Sequence, residues 1–336
     1  MLARVASNLF WLNRYLQRVE NTARLIRVHA NLLMDLPGAD PAVSWLPLVS
    51  ITGGDEEFTK LGTASDETSV CAFLISDIKN PGSLASNLNA ISANLRSSRD
   101  CMSTDLYELI KNLCGYSKIL TEESRNTSSR QDLLKKIEYQ SLAIAGAMSS
   151  TISRDTGYLF LRAGGLLERA DMTSRILDVR SANLLPIDDK SALLPFENSQ
   201  WVSVLRTLSA FQMYMKHVKK PVIGSDILSF LLQNRQFPHA MHYCLTELAQ
   251  CIRLIGPGQQ ETETGATGYT SNESDSSITK LDELIDTNQN ADIALLAKNK
   301  QQLHEFIDQL QIALIHINGD IASRYFPPND LIGNEQ

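Results

Sequence analysis

Two stretches of this chain spell one helix twice. Residues 14–33 read RYLQRVENTARLIRVHANLL and residues 166–185 read LLERADMTSRILDVRSANLL. An offset of 151 positions places Arg18 on Arg169, Glu20 on Asp171, Thr22 on Thr173 and Arg24 on Arg175. It also places Val28 on Val179 and Leu33 on Leu184. At about 100° per residue, Leu12, Leu16, Val19, Ala23, Ile26, Ala30 and Leu33 form one apolar face of the first copy. Arg14, Gln17, Arg18, Glu20, Asn21 and Arg24 take the other side. A chain holding two such helices, at 11–33 and 162–185, must build around both.

The two copies differ in charge. From Met1 to Met34 there are five arginines and one acid, so the polar face of the first copy needs anions from elsewhere. Glu20 precedes Arg24 by four residues, the favourable order for an intrahelical pair. In the second copy Glu168, Asp171 and Asp178 share a stripe with one base, Arg175. Two readings follow. The basic and acidic faces pair with each other, which gives specificity more surely than stability because desolvation offsets the attraction. Alternatively Arg14, Arg18 and Arg24 hold a carboxylate or phosphate by forked hydrogen bonds, with Glu168 and Asp171 as positioning groups or proton acceptors. Solvated surface is the third outcome.

The remaining chain reads as helices. Asp66, Ser83 and Ser103 are N-caps of segments reaching Ile75, Arg99 and Gly115. Leu133, Ile137, Leu142, Ile144 and Met148 are core candidates of a further helix. Residues 186–198 read as loop, and Trp201 to Val218 as one amphipathic helix with Leu205, Leu208, Phe211 and Met215 inward. Ser225 caps a helix to Asn234, and Pro238 opens another reaching Leu254. Residues 256–277 carry four acids and almost no apolar residue, the composition of a flexible acidic insertion. Residues 281–325 read as one or two long helices. No stretch alternates at period two, so the fold is all-α: a multi-helix bundle, a single domain with two pseudo-repeated halves at 1–150 and 151–336.

Composition narrows the chemistry. A net charge of −7 argues against non-specific nucleic-acid binding. Five scattered cysteines without a C-x-x-C pair suit free thiols in a reducing compartment. Asn8, Asn13 and Arg14 interrupt the N-terminal apolar residues, so no signal peptide is read there, and no apolar run approaches a membrane span. A cytoplasmic location is expected. No metal or other cofactor is expected: Glu168 and Asp171 have an i, i+3 spacing, but no Glu-x-x-His occurs. His239 and His242 read as capping or core residues. GGDEEF at residues 53–58 is superficially similar to a diguanylate cyclase loop, but has an extra acid and no α/β surroundings; Asp55 and Glu56 read as a helix start. No P-loop, G-x-S-x-G or G-x-G-x-x-G is present. Asp155, after Arg154, reads first as a cap of the second copy.

The repeated segments, together with LARVASNLFWLNRY, NPGSLASNLNAISANLRSSRDCMSTDLYELI and FPHAMHYCLTEL, resemble the signature segments of the bacterial alpha-E domain family. That family is all-helical, with a poorly defined function. The resemblance covers nearly the whole chain and departs from the pattern at Gln17, Thr156, Gly165 and His239. It implies a gene context of circularly permuted ATP-grasp ligases and transglutaminase-like peptidases. The implied role is that of an accessory or partner-binding component of an ATP-dependent peptide-ligating or protein-modifying system. A peptide or anionic ligand is expected, with no nucleic acid and no membrane. The alternative is an enzyme acting on an amide or a phosphorylated peptide intermediate. Gln17 and Thr156 lack ionisable groups that the pattern supplies, and weigh toward the non-catalytic reading. The candidate ligand-binding set is Arg14, Arg18, Glu20, Asn21, Arg24, Arg99, Arg154, Arg169 and Arg175; the catalytic candidates are Glu168, Asp171 and Asp155.

Overall fold

A computed structural model describes residues 2–35, 45–184, 194–256 and 276–327. Among them are sixteen α-helices and no strand. The first half of the order is α1 (Ala3–Asp35), α2 (Leu46–Thr52), α3 (Asp55–Leu61), α4 (Glu67–Ile75), α5 (Leu84–Ser97), α6 (Thr104–Gly115), α7 (Leu120–Glu123) and α8 (Thr127–Ser150). It continues with α9 (Thr156–Leu184), α10 (Leu194–Thr207), α11 (Phe211–Val218), α12 (Gly224–Gln233), α13 (Met241–Ile255), α14 (Ser276–Gln289), α15 (Ile293–Leu296) and α16 (Lys300–Tyr325).

Local chemistry sets many boundaries. Asp66, Ser83, Ser103 and Asn126 each accept a backbone N–H of the first turn they precede, as does Asn299 before α16. Gly53 and Gly62 take positive φ, 73° and 62°, and end α2 and α3. Asp55 and Glu56 do open α3.

Some expected boundaries move. The segment read as one helix from Trp201 to Val218 is two, because Ser209 adopts φ 53° and turns the chain between α10 and α11. That break rotates α11, so Tyr214 is buried and Met215 is 39% exposed, the reverse of a continuous register. Residues 185–193 lie outside the described residues, but α10 already begins at Leu194, inside the stretch read as loop. Helix α12 starts at Gly224 rather than after Ser225; a Cβ at 224 would sit 3.0 Å from the Trp201 ring. Helix α13 starts at Met241, three residues beyond Pro238. The C-terminal segment holds three helices, since Asp292 and Asn299 each cap a new start. Leu142, read as core, is 53% exposed. The flexible insertion expected at 256–277 falls mostly on residues outside those described, though Ser276 and Ser277 already belong to α14.

Helices α1 and α9 form the centre. Four cross-helix hydrogen bonds join residues 148, 150, 152 and 154 positions apart, so the two helices run parallel and in register. They approach closely at Gly164, where an added Cβ would lie 2.0 Å from the Phe10 carbonyl oxygen. Helix α1 packs on α5 and α8, which α6 bridges; α9 packs on α13 and α16, which α14 bridges. Helix α2 packs across onto α9 and α10 across onto α1. Both central helices are therefore surrounded. Asn13, Arg14, Gln17, Glu20, Asn21 and Arg24, the polar side of α1, are all buried together with its apolar side. No described helix is long and apolar enough to cross a membrane.

Candidate functional site

Parallel packing brings the basic side of α1 onto α9. Glu168, 1% exposed, accepts from Arg14 Nε at 2.8 Å, Arg18 Nε at 2.6 Å and Arg18 Nη2 at 2.9 Å. Burial alone would push the Glu168 carboxyl up, but the Arg18 and Arg14 guanidiniums outweigh it and hold it below the ordinary carboxylate value. Burial also disfavours the Arg18 cation, and Glu168 reverses this, raising Arg18 above its usual value. Arg14 donates onward to Asn318 Oδ1 of α16 at 2.8 Å and lies 4.8 Å over the Trp11 ring. With both oxygens engaged by three charged donors, Glu168 has little capacity left as a base or metal ligand.

One residue along each helix the arrangement recurs with the roles exchanged. Arg169 of α9 donates Nε to Gln17 Oε1 of α1 at 2.7 Å. Gln17 and Arg18 correspond to Glu168 and Arg169 under the 151-residue offset, so each arginine reaches the other helix's residue at the preceding position. The intrahelical pairs recur too: Glu20–Arg24 at 2.8 Å and Asp171–Arg175 at 3.0 Å. Burial, only partly offset by Arg175 and reinforced by Glu168, raises the Asp171 carboxyl above its usual value.

Further along α1, Glu138 of α8 accepts from Arg27 at 2.5 and 2.9 Å and lies 3.3 Å from Arg24. Asn21 is 2% exposed, and neither polar atom of its side chain has a hydrogen-bond partner among the described residues; Arg24 Nη1 is likewise buried and unpartnered. Burial, then the Arg169 and Arg24 charges, hold the His239 imidazole well below its usual value.

A half-open cleft of about 290 Å³ lies beside the Gln17–Arg169 bond, between α1, α8 and α9. Its polar lining includes Gln17, Arg154, Tyr158, Arg162, Arg169 and Tyr243, and its apolar wall includes Leu16, Ile144, Met148 and Leu166. Arg162 pairs with Glu247 of α13. Arg154 donates to the Ser149 carbonyl at 2.6 Å and stacks 4.1 Å over the Tyr158 ring.

The candidate residues thus divide. Arg154 and Arg169 line the cleft; Arg14, Arg18, Glu20, Arg24 and Arg175 are held in carboxylate pairs beside it. Asn21 is buried without a partner among the described residues. Arg99 is exposed on a separate 3-10 turn, 5.1 Å over Tyr107. Asp155 accepts the Tyr158 N–H at 3.0 Å and caps α9. Arg162, Tyr158 and Tyr243 escaped the sequence reading. The first two were legible, since Tyr158, Arg162, Leu166 and Arg169 recur at spacings of four, four and three, one stripe of a helix. Glu138, reaching Arg27 across 111 positions, left no local signal.

An all-helical bundle built on two parallel central helices, with an arginine-lined cleft at their junction, is the class these observations define. The chain belongs to the Alpha-E family, described as a predicted alpha-helical domain with a conserved ER motif, whose profile matches residues 1–326. The dipeptide Glu-Arg occurs once in this sequence, at Glu168–Arg169, in the middle of the site. Similar curated proteins are uncharacterized proteins of Mycobacterium bovis and Mycobacterium tuberculosis, each 26% identical over 184 residues, covering 49% of this chain. The match spans 21% of those longer proteins. No solved structure matches the chain significantly.

Proposed function

We propose that this protein is a binding component, not the catalyst, of an ATP-grasp-linked peptide-ligating or protein-modifying system, and that the α1/α9 cleft receives an anionic group of a peptide or partner protein. The observation that carries this reading is the division of charge at the helix pair. Glu168, next to the cleft-lining Arg169, is taken by Arg14 and Arg18, and Glu247 by the cleft-lining Arg162, while Arg154 and Arg169 face the cleft without a carboxylate partner among the described residues. Such a surface can recognise and orient an anion, and neither Glu168 nor Glu247 is free of a guanidinium to act as a base. The resemblance to alpha-E proteins supports the link to a ligase and a transglutaminase-like peptidase. The adjacency of α1, α5, α6 and α8, repeated by α9, α13, α14 and α16, supports reading 1–150 and 151–336 as two halves of one domain.

The test is co-expression with an ATP-grasp ligase encoded beside the gene. We expect a complex on size-exclusion chromatography that Arg154→Gln weakens without changing the melting temperature. Absence of any complex, with ligation proceeding equally well without this chain, overturns the reading.

A further inference from the structure

The two halves of the helix pair differ by one carboxylate and, since Gly165 stands at the offset position of Arg14, by one guanidinium as well. Arg18 meets a carboxylate, Glu168, at 2.6 Å; its counterpart Arg169 meets a neutral amide, Gln17, at 2.7 Å. Glu168 cannot make up the difference, because it already serves two guanidiniums. Gln17 is 5% exposed and Arg169 half-buried, so the uncompensated charge sits at a low-dielectric wall, where electrostatic interactions are stronger than in water. It also opens onto a space. Arg169 lines the cleft together with Arg154, which likewise has no carboxylate partner among the described residues, and with Arg162, which has one, Glu247.

We propose that the cleft binds a small molecule or peptide end whose carboxylate supplies the charge that Gln17 does not, a carboxylate carried on a short aliphatic stem like that of a glutamyl side chain. The apolar wall of Leu16, Ile144, Met148 and Leu166 receives the stem, and Tyr158 and Tyr243 flank it. At about 290 Å³ the cleft is at the lower end of small-molecule sites, the scale of one or two amino-acid residues. A carboxylate fits better than a phosphate. The position to be completed is the counterpart of Glu168, and a dianionic tetrahedral group would call on Arg162 as well, which Glu247 already neutralises. This inference rests on the cleft being a binding site, as above, but requires no partner protein.

The experiment uses the intact chain with four probes: N-acetyl-L-glutamate α-amide, a glutamyl-alanine dipeptide, the neutral N-acetyl-L-glutamine α-amide and inorganic phosphate. Calorimetry and thermal shift should register the two carboxylates and not the glutamine compound. Gln17→Glu places the charge in the protein itself, so it should raise the melting temperature of the empty chain and weaken both carboxylate probes at least about tenfold. Arg154→Gln, at an exposed position, should weaken them similarly while leaving the fold intact. Equal binding of the glutamine compound, or carboxylate binding indifferent to Gln17→Glu, overturns the proposal. Binding of phosphate alone, lost in Arg154→Gln, overturns it while leaving the cleft as an anion site. No probe bound, together with ligase association indifferent to Arg154→Gln, overturns both this proposal and the reading on which it rests.

Discussion

At Glu168 desolvation and charge attraction oppose each other, and attraction prevails. A lone carboxylate that deeply buried would take a proton; two guanidiniums keep it ionised. Removing the charge strands the arginines, so Glu168→Gln should cost about 3–5 kcal/mol of unfolding free energy at neutral pH. Arg18→Ala should cost less, since its side chain is 24% exposed and Arg14 remains to pair. The double variant should recover part of the loss, with a coupling of at least about 0.5 kcal/mol in urea midpoints. The pH dependence has a definite sign. The folded carboxyl lies below the unfolded value, here 4.5, so its contribution is complete above that pH and fades as pH falls through the folded value. Glu168→Gln should remove that part of the acid-side slope. Strictly additive effects with an unchanged slope would contradict the pairing described.

At the scale of elements, the contact of α1 with α9 depends on the absence of side chains at Gly164 and Gly165. A Cβ at 164 would meet backbone, the Phe10 carbonyl at 2.0 Å, which cannot rotate away. A Cβ at 165 would meet the Asn13 side chain at 2.3 Å, which can. Gly164→Ala should therefore destabilise by about 3 kcal/mol or more despite its gain in helix propensity, and Gly165→Ala by clearly less, measured as chemical-denaturation midpoints. A near-neutral Gly164→Ala would mean that the helices are not in such contact. These helices also mark how far the sequence could be read. The duplicated polar residues were visible as periodicity and offset, and the caps at Asp66, Ser83 and Ser103 as local chemistry. What stayed hidden was long-range. Nothing near Arg14 announces Asn318, and amphipathic patterning made α1 two-faced when encirclement by α5, α8, α9 and α10 buries both sides. The break at Ser209 was missed because its positive φ has no glycine to advertise it.

Over the whole molecule, the five free cysteines report how completely these layers close. Cys71, Cys244 and Cys251 are buried and Cys114 half-buried; burial pushes the Cys71 and Cys244 thiols up to about 12 and the Cys114 and Cys251 thiols to about 11. Cys101 is exposed. A thiol reagent at pH 8 should modify one cysteine readily in the folded protein and all five in denaturant; rapid loss of two or more would mean the packing opens. The parallel pairing of α1 with α9 has one further consequence, in time rather than space. Neighbouring antiparallel helices can close as soon as both are made, but here the partner of the first helix is complete only at residue 184, 149 positions after α1 ends at residue 35. At about 5–20 residues per second, a ribosome takes roughly seven to thirty seconds over that interval. Throughout it the nascent chain carries a helix that is apolar on one side, basic on the other and short of the carboxylate that will neutralise it, which makes α1 the segment a chaperone would be expected to hold.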